Sequence, residues 1–307
     1  SVHSFPTRRS SDLRLPAARR RLPPGLTGRG ARPGLAAALI AVAVLTAVAL
    51  ATWAPAVRAA PACGAARNPC SVDLGRYYAA EPDGPPQGAV IFLHGYQGSG
   101  AGVVANRGLI RAANDAGYLL IAPHGRGGTW NHVGSPADHD RDELAFLAQV
   151  RRDAVDRFGL AGKPVLVAGF SQGASMVWDV ACYRARDYTA FAAVAGAFWR
   201  PLPDDCSTGG IDITHIHGLG DDVVPLEGRP IGEDWRQGDT VRALGLLKRH
   251  NACPAAPDRR TREGALSCSH WTSCARGRLR ICLHDGGHSI QPGWIAGAVR
   301  WMQNPGG

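Results

Sequence analysis

The sequence predicts an α/β fold, a mostly parallel central sheet with helices on both faces. Three observations point there. Apolar runs without alternation, Ala89-Val90-Ile91-Phe92-Leu93 and Val165-Leu166-Val167-Ala168, suit strands buried on both faces. Between them, residues 138–158 place Leu144, Leu147, Val150, Ala154, Val155 and Phe158 at helical spacing, as an amphipathic crossover helix requires. Several strand-like runs end in glycine-rich segments, at the sheet edge where such folds hold their functional groups.

The start of the chain is of a different kind. Of the formal net charge of +9 on 307 residues, nine arginines and one acid lie in residues 1–59, which leaves the remainder near +1. A basic nucleic-acid-binding surface is therefore not expected of the folded part. Residues 35–52 are almost wholly Ala, Val, Leu and Ile, and small residues follow at 54–59, the layout of a secretory signal peptide for Sec export. Residues 1–13, which lack an initiator Met, read as an artefactual start. Residues 60–307 are then a single catalytic domain, large enough for one core. A retained membrane anchor and a lipid on Cys63 stay open, and membrane contact is expected only through an uncleaved signal segment. All eight cysteines follow that segment, so up to four disulfides are expected, with Cys63 to Cys70 and Cys182 to Cys206 the first candidates by separation.

Taken in order, residues 75–78 form an early strand and 81–88 a Pro/Gly turn region. The strand at 89–93 opens into His94-Gly95-Tyr96-Gln97-Gly98-Ser99-Gly100. A helix over 103–116, a strand over 118–122 and a loop over 123–137 follow, with Trp130 on that loop as a substrate-binding wall or, alternatively, a plain packing side chain. After the crossover helix, the strand at 165–168 drives into Gly169-Phe170-Ser171-Gln172-Gly173 and then into a helix. A serine between strand and helix, with glycines two residues to either side, is a nucleophile elbow. Strands over 191–195 and 214–217 come next, the second leading to His217-Gly218-Leu219-Gly220-Asp221-Asp222. A helix over 239–250 precedes a cysteine-rich stretch to Ser273. A last strand over 279–283 opens into His284-Asp285-Gly286-Gly287-His288, and a closing helix spans 294–302.

These positions carry a chemistry. Ser171, Asp221 and His288 fall in the chain order Ser, Asp, His at three strand ends, as in a serine hydrolase of the α/β-hydrolase fold. An oxyanion hole requires two N–H donors, and Tyr96 and Gln172 are the candidates. Asp222 is the rival acid by residue type alone.

Leu93-His94-Gly95, Gly169-Phe170-Ser171-Gln172-Gly173, the Asp221 segment and Gly286-Gly287-His288-Ser289-Ile290-Gln291-Pro292-Gly293 together resemble the polyhydroxybutyrate depolymerase and feruloyl/acetyl xylan esterase group of α/β-hydrolases. The resemblance spans roughly residues 77–302. It implies a secreted serine esterase without cofactor or metal, acting as a monomer on polyhydroxyalkanoate oligomers or on feruloyl or acetyl esters of polysaccharide. One departure is the residue inserted after His288, with no tryptophan beside that histidine. No linker or surface-binding module follows before Gly307, which favours soluble or polysaccharide-borne esters over solid polyester. A prolyl-oligopeptidase-like peptidase and a catalytically silent binding protein on the same fold remain alternatives.

Overall fold

A ten-stranded sheet organises the computed structural model, which describes residues 63–65, 68–137, 139–207 and 209–304. Residues 1–59, expected to hold an artefactual start and a signal peptide, lie outside the described residues. In chain order the elements are β1 (Cys70–Val72), β2 (Gly75–Ala80), β3 (Gly88–Leu93), α1 (Gly100–Ala105), α2 (Arg107–Asn114), β4 (Tyr118–Pro123), α3 (Glu143–Phe158), β5 (Val165–Phe170), α4 (Gln172–Arg184), β6 (Ala190–Val194) and β7 (Asp212–Gly218). Then come β8 (Pro230–Ile231), β9 (Trp235–Arg236), α5 (Thr240–His250), β10 (Arg259–Glu263), β11 (Leu266–Trp271), β12 (Arg278–His284) and α6 (Pro292–Gln303).

The sheet order is β1-β2-β4-β3-β5-β6-β7-β12-β11-β10, while β8 and β9 pair separately. From β4 to β12 every neighbouring pair is parallel, and the margins at β2 and β11 are antiparallel. This is the mostly parallel sheet expected from the unbroken apolar runs. Their two faces separate cleanly. Ala89, Ile91 and Leu93 pack with Phe146 and Val150 of α3, Met176 and Val177 of α4, and Leu247 of α5. Val90 and Phe92 pack with Leu109 of α2 and with Ile295 and Ala298 of α6. Apart from the partly exposed Phe170 at its end, β5 is buried throughout, and α4 is buried from Gln172 to Cys182, which explains why neither shows a polar stripe.

Two helix boundaries differ from expectation for the same physical reason. The single helix anticipated over 103–116 is broken at Asn106, which closes α1 and caps α2, its Oδ1 accepting from Gly108 N at 2.9 Å and Leu109 N at 3.2 Å. The helix expected from residue 138 starts at Glu143, because Asp142 takes the cap position and accepts from Ala145 N at 2.9 Å. A short side chain that satisfies free backbone amides outcompetes continued helix.

The cysteine-rich stretch, to which the sequence assigned no element, forms the β10–β11 hairpin, with Glu263 opposite Leu266 around a turn at Gly264. All eight cysteines are paired, as Cys63–Cys70, Cys182–Cys206, Cys253–Cys274 and Cys268–Cys282. The last pair joins directly opposed residues of β11 and β12. Among the described residues, no helix is long and apolar enough to cross a membrane.

Candidate active site

Ser171 sits between β5 and α4 with φ 57° and ψ −124°, a backbone conformation that a residue with a Cβ occupies only at a cost in energy. The tight turn needs glycine beside it. A Cβ on Gly173 would lie 2.1 Å from the Leu93 carbonyl oxygen, so only glycine lets β3 and α4 approach this closely.

His288 Nε2 lies 2.9 Å from Ser171 Oγ, and His288 Nδ1 lies 2.8 Å from Asp221 Oδ2. The structure thus brings together the three residues singled out by sequence. Asp221 is buried, and its Oδ1 accepts from the amides of Val223 at 3.0 Å and Val224 at 2.8 Å. Asp222, its rival, is exposed. The acid and base loops are tied to each other, since Leu219 N donates to His284 O at 2.8 Å and Gly220 N to Gly286 O at 3.1 Å. Phe170 covers one face of the His288 ring at 4.8 Å between centroids.

Behind Asp221 lies a pair of histidines that sequence reading left without a role. His217 Nε2 donates to Val224 O at 2.7 Å and stands 3.5 Å from Asp221 Oδ2. Its Nδ1 therefore accepts, and His215 Nε2 donates to it at 3.0 Å. Burial lowers the pKa of both rings, that of His215 well below the ordinary value. The pair is neutral, so it does not compete with His288 for the Asp221 charge.

On the other side of Ser171, the loop after β3 is braced from below. His94 Nδ1 donates to Gly95 O at 2.9 Å, and His94 Nε2 accepts from Gly125 N at 3.0 Å, a pattern that only the neutral ring can make. Trp130, expected to wall the substrate site, is instead fully buried, and its Nε1 donates to His94 O at 2.8 Å. Its indole N–H is spent on the loop and its ring on His94, 4.9 Å away, which takes it out of the pocket. The braced loop leaves Tyr96 with its side chain 65% exposed, while Gln172 opens α4 with a buried side chain. Among the described turn, loop and cap hydrogen bonds, neither the Tyr96 nor the Gln172 amide has an acceptor. For Gln172 this follows from its place in the first helical turn.

Burial lowers the His94 pKa from 6.5 to about 4. The folded value lies below the unfolded one, so this stability is fully present above about pH 6.5 and is lost as pH falls through about 4, on the order of 3 kcal/mol in all. His124, His215, His217, His270 and His284 are shifted in the same direction, chiefly by burial. The melting temperature is expected to fall between pH 7 and pH 5, mostly above the range where carboxylates titrate. A flat profile over that interval would contradict neutral burial of these rings.

A cavity of about 480 Å³ opens over Ser171, with Tyr96, Val223, Ile231, Trp199, Trp235 and Gln237 in its wall. Sequence reading missed the last four: Ile231, Trp235 and Gln237 lie in or beside β8 and β9, two-residue strands too short to show periodicity, and Trp199 joins them only through its bridge to Gln237. Among the described residues, no group of three or more His, Cys, Asp or Glu is arranged to hold a metal ion.

Three residues carried on the loops after β5, β7 and β12 of a mostly parallel sheet, with helices on both faces, define an α/β-hydrolase. Solved structures agree on the fold. The chain aligns with the acetyl xylan esterase from Aspergillus awamori at a TM-score of 0.57 and 15% identity, over 76% of this chain and 97% of that one. With the carboxylesterase from Mesorhizobium loti the TM-score is 0.52 at 19% identity, over 78% and 100%. In sequence it is similar to the probable feruloyl esterase C of Aspergillus flavus, 24% identical over 178 residues, or 57% of this chain and 58% of that protein. Feruloyl esterase C of Emericella nidulans is 27% identical over 166 residues, or 50% of this chain and 58% of that protein. The chain thus spans less than two thirds of the length of these relatives. No family model matches it. The likeness is to the feruloyl and acetyl xylan esterase-like α/β-hydrolases, as the motifs implied.

Proposed function

We propose that this protein is an exported serine esterase that hydrolyses carboxylic esters through an acyl-enzyme intermediate, on polyhydroxyalkanoate oligomers or on feruloyl or acetyl esters borne by polysaccharide. One observation carries the reading: the hydrogen-bonded series Ser171 Oγ, His288, Asp221, at 2.9 and 2.8 Å, on a serine held at φ 57°. His288 Nε2 takes the Ser171 proton as Oγ attacks the ester carbonyl carbon. The carbonyl oxygen becomes an oxyanion between the Tyr96 and Gln172 amides. Asp221 holds Nδ1–H and stabilises the imidazolium, which then protonates the departing alcohol. Water, deprotonated by the same ring, attacks the acyl-enzyme and releases the acid. Four disulfides favour an oxidising compartment, hence export. The names of the relatives favour esters over amides.

Acetyl, butyryl, feruloyl and 3-hydroxybutyryl esters, compared by kcat/KM, test the activity, and a serine-reactive phosphonate is expected to label Ser171. Cleavage of aminoacyl-nitroanilides with no ester turnover would favour the peptidase instead. Absence of label on folded protein would favour a silent binding protein.

A further inference from the structure

The cavity over Ser171 is apolar apart from a few groups, and three of those carry a buried atom without a partner: one is Gln172 Oε1, next to the nucleophile in sequence, and the other two form a pair. Trp199 Nε1 and Gln237 Oε1 are both buried without a hydrogen bond, on side chains only 7% and 8% exposed. Native structures rarely leave such atoms unmatched. The two are neighbours by construction, because Trp199 and Gln237 oppose each other in an antiparallel bridge, which places their side chains on one face. Arg200 N to Arg236 O at 2.9 Å and Gly238 N to Phe198 O at 2.7 Å fix that bridge, and Gln237 N to Arg229 O at 2.9 Å holds Gln237 from its other side.

An indole N–H only donates, and an amide oxygen only accepts. A donor beside an acceptor complements one hydroxyl, whose oxygen takes the Nε1 proton and whose own proton goes to Oε1. A carboxylate would bring Oε1 no proton, and a methyl group would satisfy neither atom. Ile231 and Trp235 supply apolar wall around the pair, the usual form of a pocket that binds by area and orients by a few polar groups.

We propose that Trp199 and Gln237 form a hydroxyl-recognition subsite, so that the protein selects esters whose group in this cavity carries a hydroxyl over the same esters without it. This rests on the ester-hydrolase reading.

Two matched pairs of substrates test it: methyl 4-hydroxycinnamate against methyl cinnamate, and methyl 3-hydroxybutyrate against methyl butyrate. In at least one pair the hydroxylated ester is expected to lead in kcat/KM by about 10²-fold, since its absence leaves buried polar groups unpaired. The responding pair tells whether the hydroxyl is borne on an aromatic or an aliphatic acyl group. Trp199→Phe, which keeps a ring and loses the N–H, and Gln237→Met are each expected to cut that ratio about tenfold. Ratios within threefold for both pairs in the native protein, or an unchanged ratio in either folded variant, overturn the subsite. Should no ester be turned over, the esterase reading fails on its own. Calorimetry on the Ser171→Ala protein then decides the subsite: a hydroxylated ester binding at least tenfold tighter than its partner supports it, and equal affinities sink it.

Discussion

Ser171→Ala is expected to lower kcat by about 10⁴ or more while leaving the fold intact. The two halves of this expectation have separate origins. Alanine keeps a Cβ at φ 57°, so the strain of the elbow is the same before and after and cancels from the comparison. What is lost is one hydroxyl, in a partly exposed position, whose hydrogen bond is to His288 Nε2. With no nucleophile, only the amides and the cavity act on the substrate, and these recover a small part of the rate. The melting temperature should move by no more than a few degrees. Retention of more than a tenth of native kcat in folded protein would remove Ser171 from the mechanism.

Asp221→Asn is expected to cost about 10⁴ in kcat, and Asp222→Asn less than about tenfold. An asparagine at 221 keeps an oxygen for the Val223 and Val224 amides, so the loop retains its shape. Its NH₂ group then faces His288 Nδ1. Two donors cannot share that contact, so the ring turns over to the tautomer with the proton on Nε2. In that form it cannot take a proton from Ser171. Asp222 is exposed one residue on, and losing its charge in water changes the site only through a screened field. The opposite ranking in two purified, folded variants would move the acid to Asp222.

Much of this site is legible in sequence because each key residue sits on a short loop whose neighbours announce it. Gly169 and Gly173 mark the elbow, and Gly286 and Gly287 mark the histidine loop. What sequence hides is pairing between distant segments. Trp130 looks like a pocket wall, since an aromatic on a loop at this sheet edge usually has no competing partner; the His94 carbonyl that claims its N–H lies on another strand end. Trp199 and Gln237 acquire meaning only through their bridge. The β10 strand, Arg-Arg-Thr-Arg-Glu, has no apolar alternation because it is the sheet's exposed last strand, with four of its five residues open to solvent. Helix ends at Asn106 and Asp142 are readable by residue type, yet apolar residues on both sides mask the first, and the acidic run over 138–143, which suits a helix start anywhere along it, blurs the second.

The strands that carry the acid and the base are adjacent and parallel, paired from Arg278 opposite Asp212 to His284 opposite Gly218. Their alignment works as a gauge. Three residues beyond Gly218 comes Asp221, and four beyond His284 comes His288, so the distance between carboxylate and imidazole is set by the register of β7 against β12 more than by either loop. A slip of one place would shift the loops by about 3.3 Å and turn every side chain of the slipped strand to the other face. A contact of 2.8 Å does not survive such a shift. Single-residue insertions or deletions inside β7 or β12 are therefore excluded from any working variant, whereas the β10–β11 turn at Gly264, at the far margin of the sheet, is free to change length.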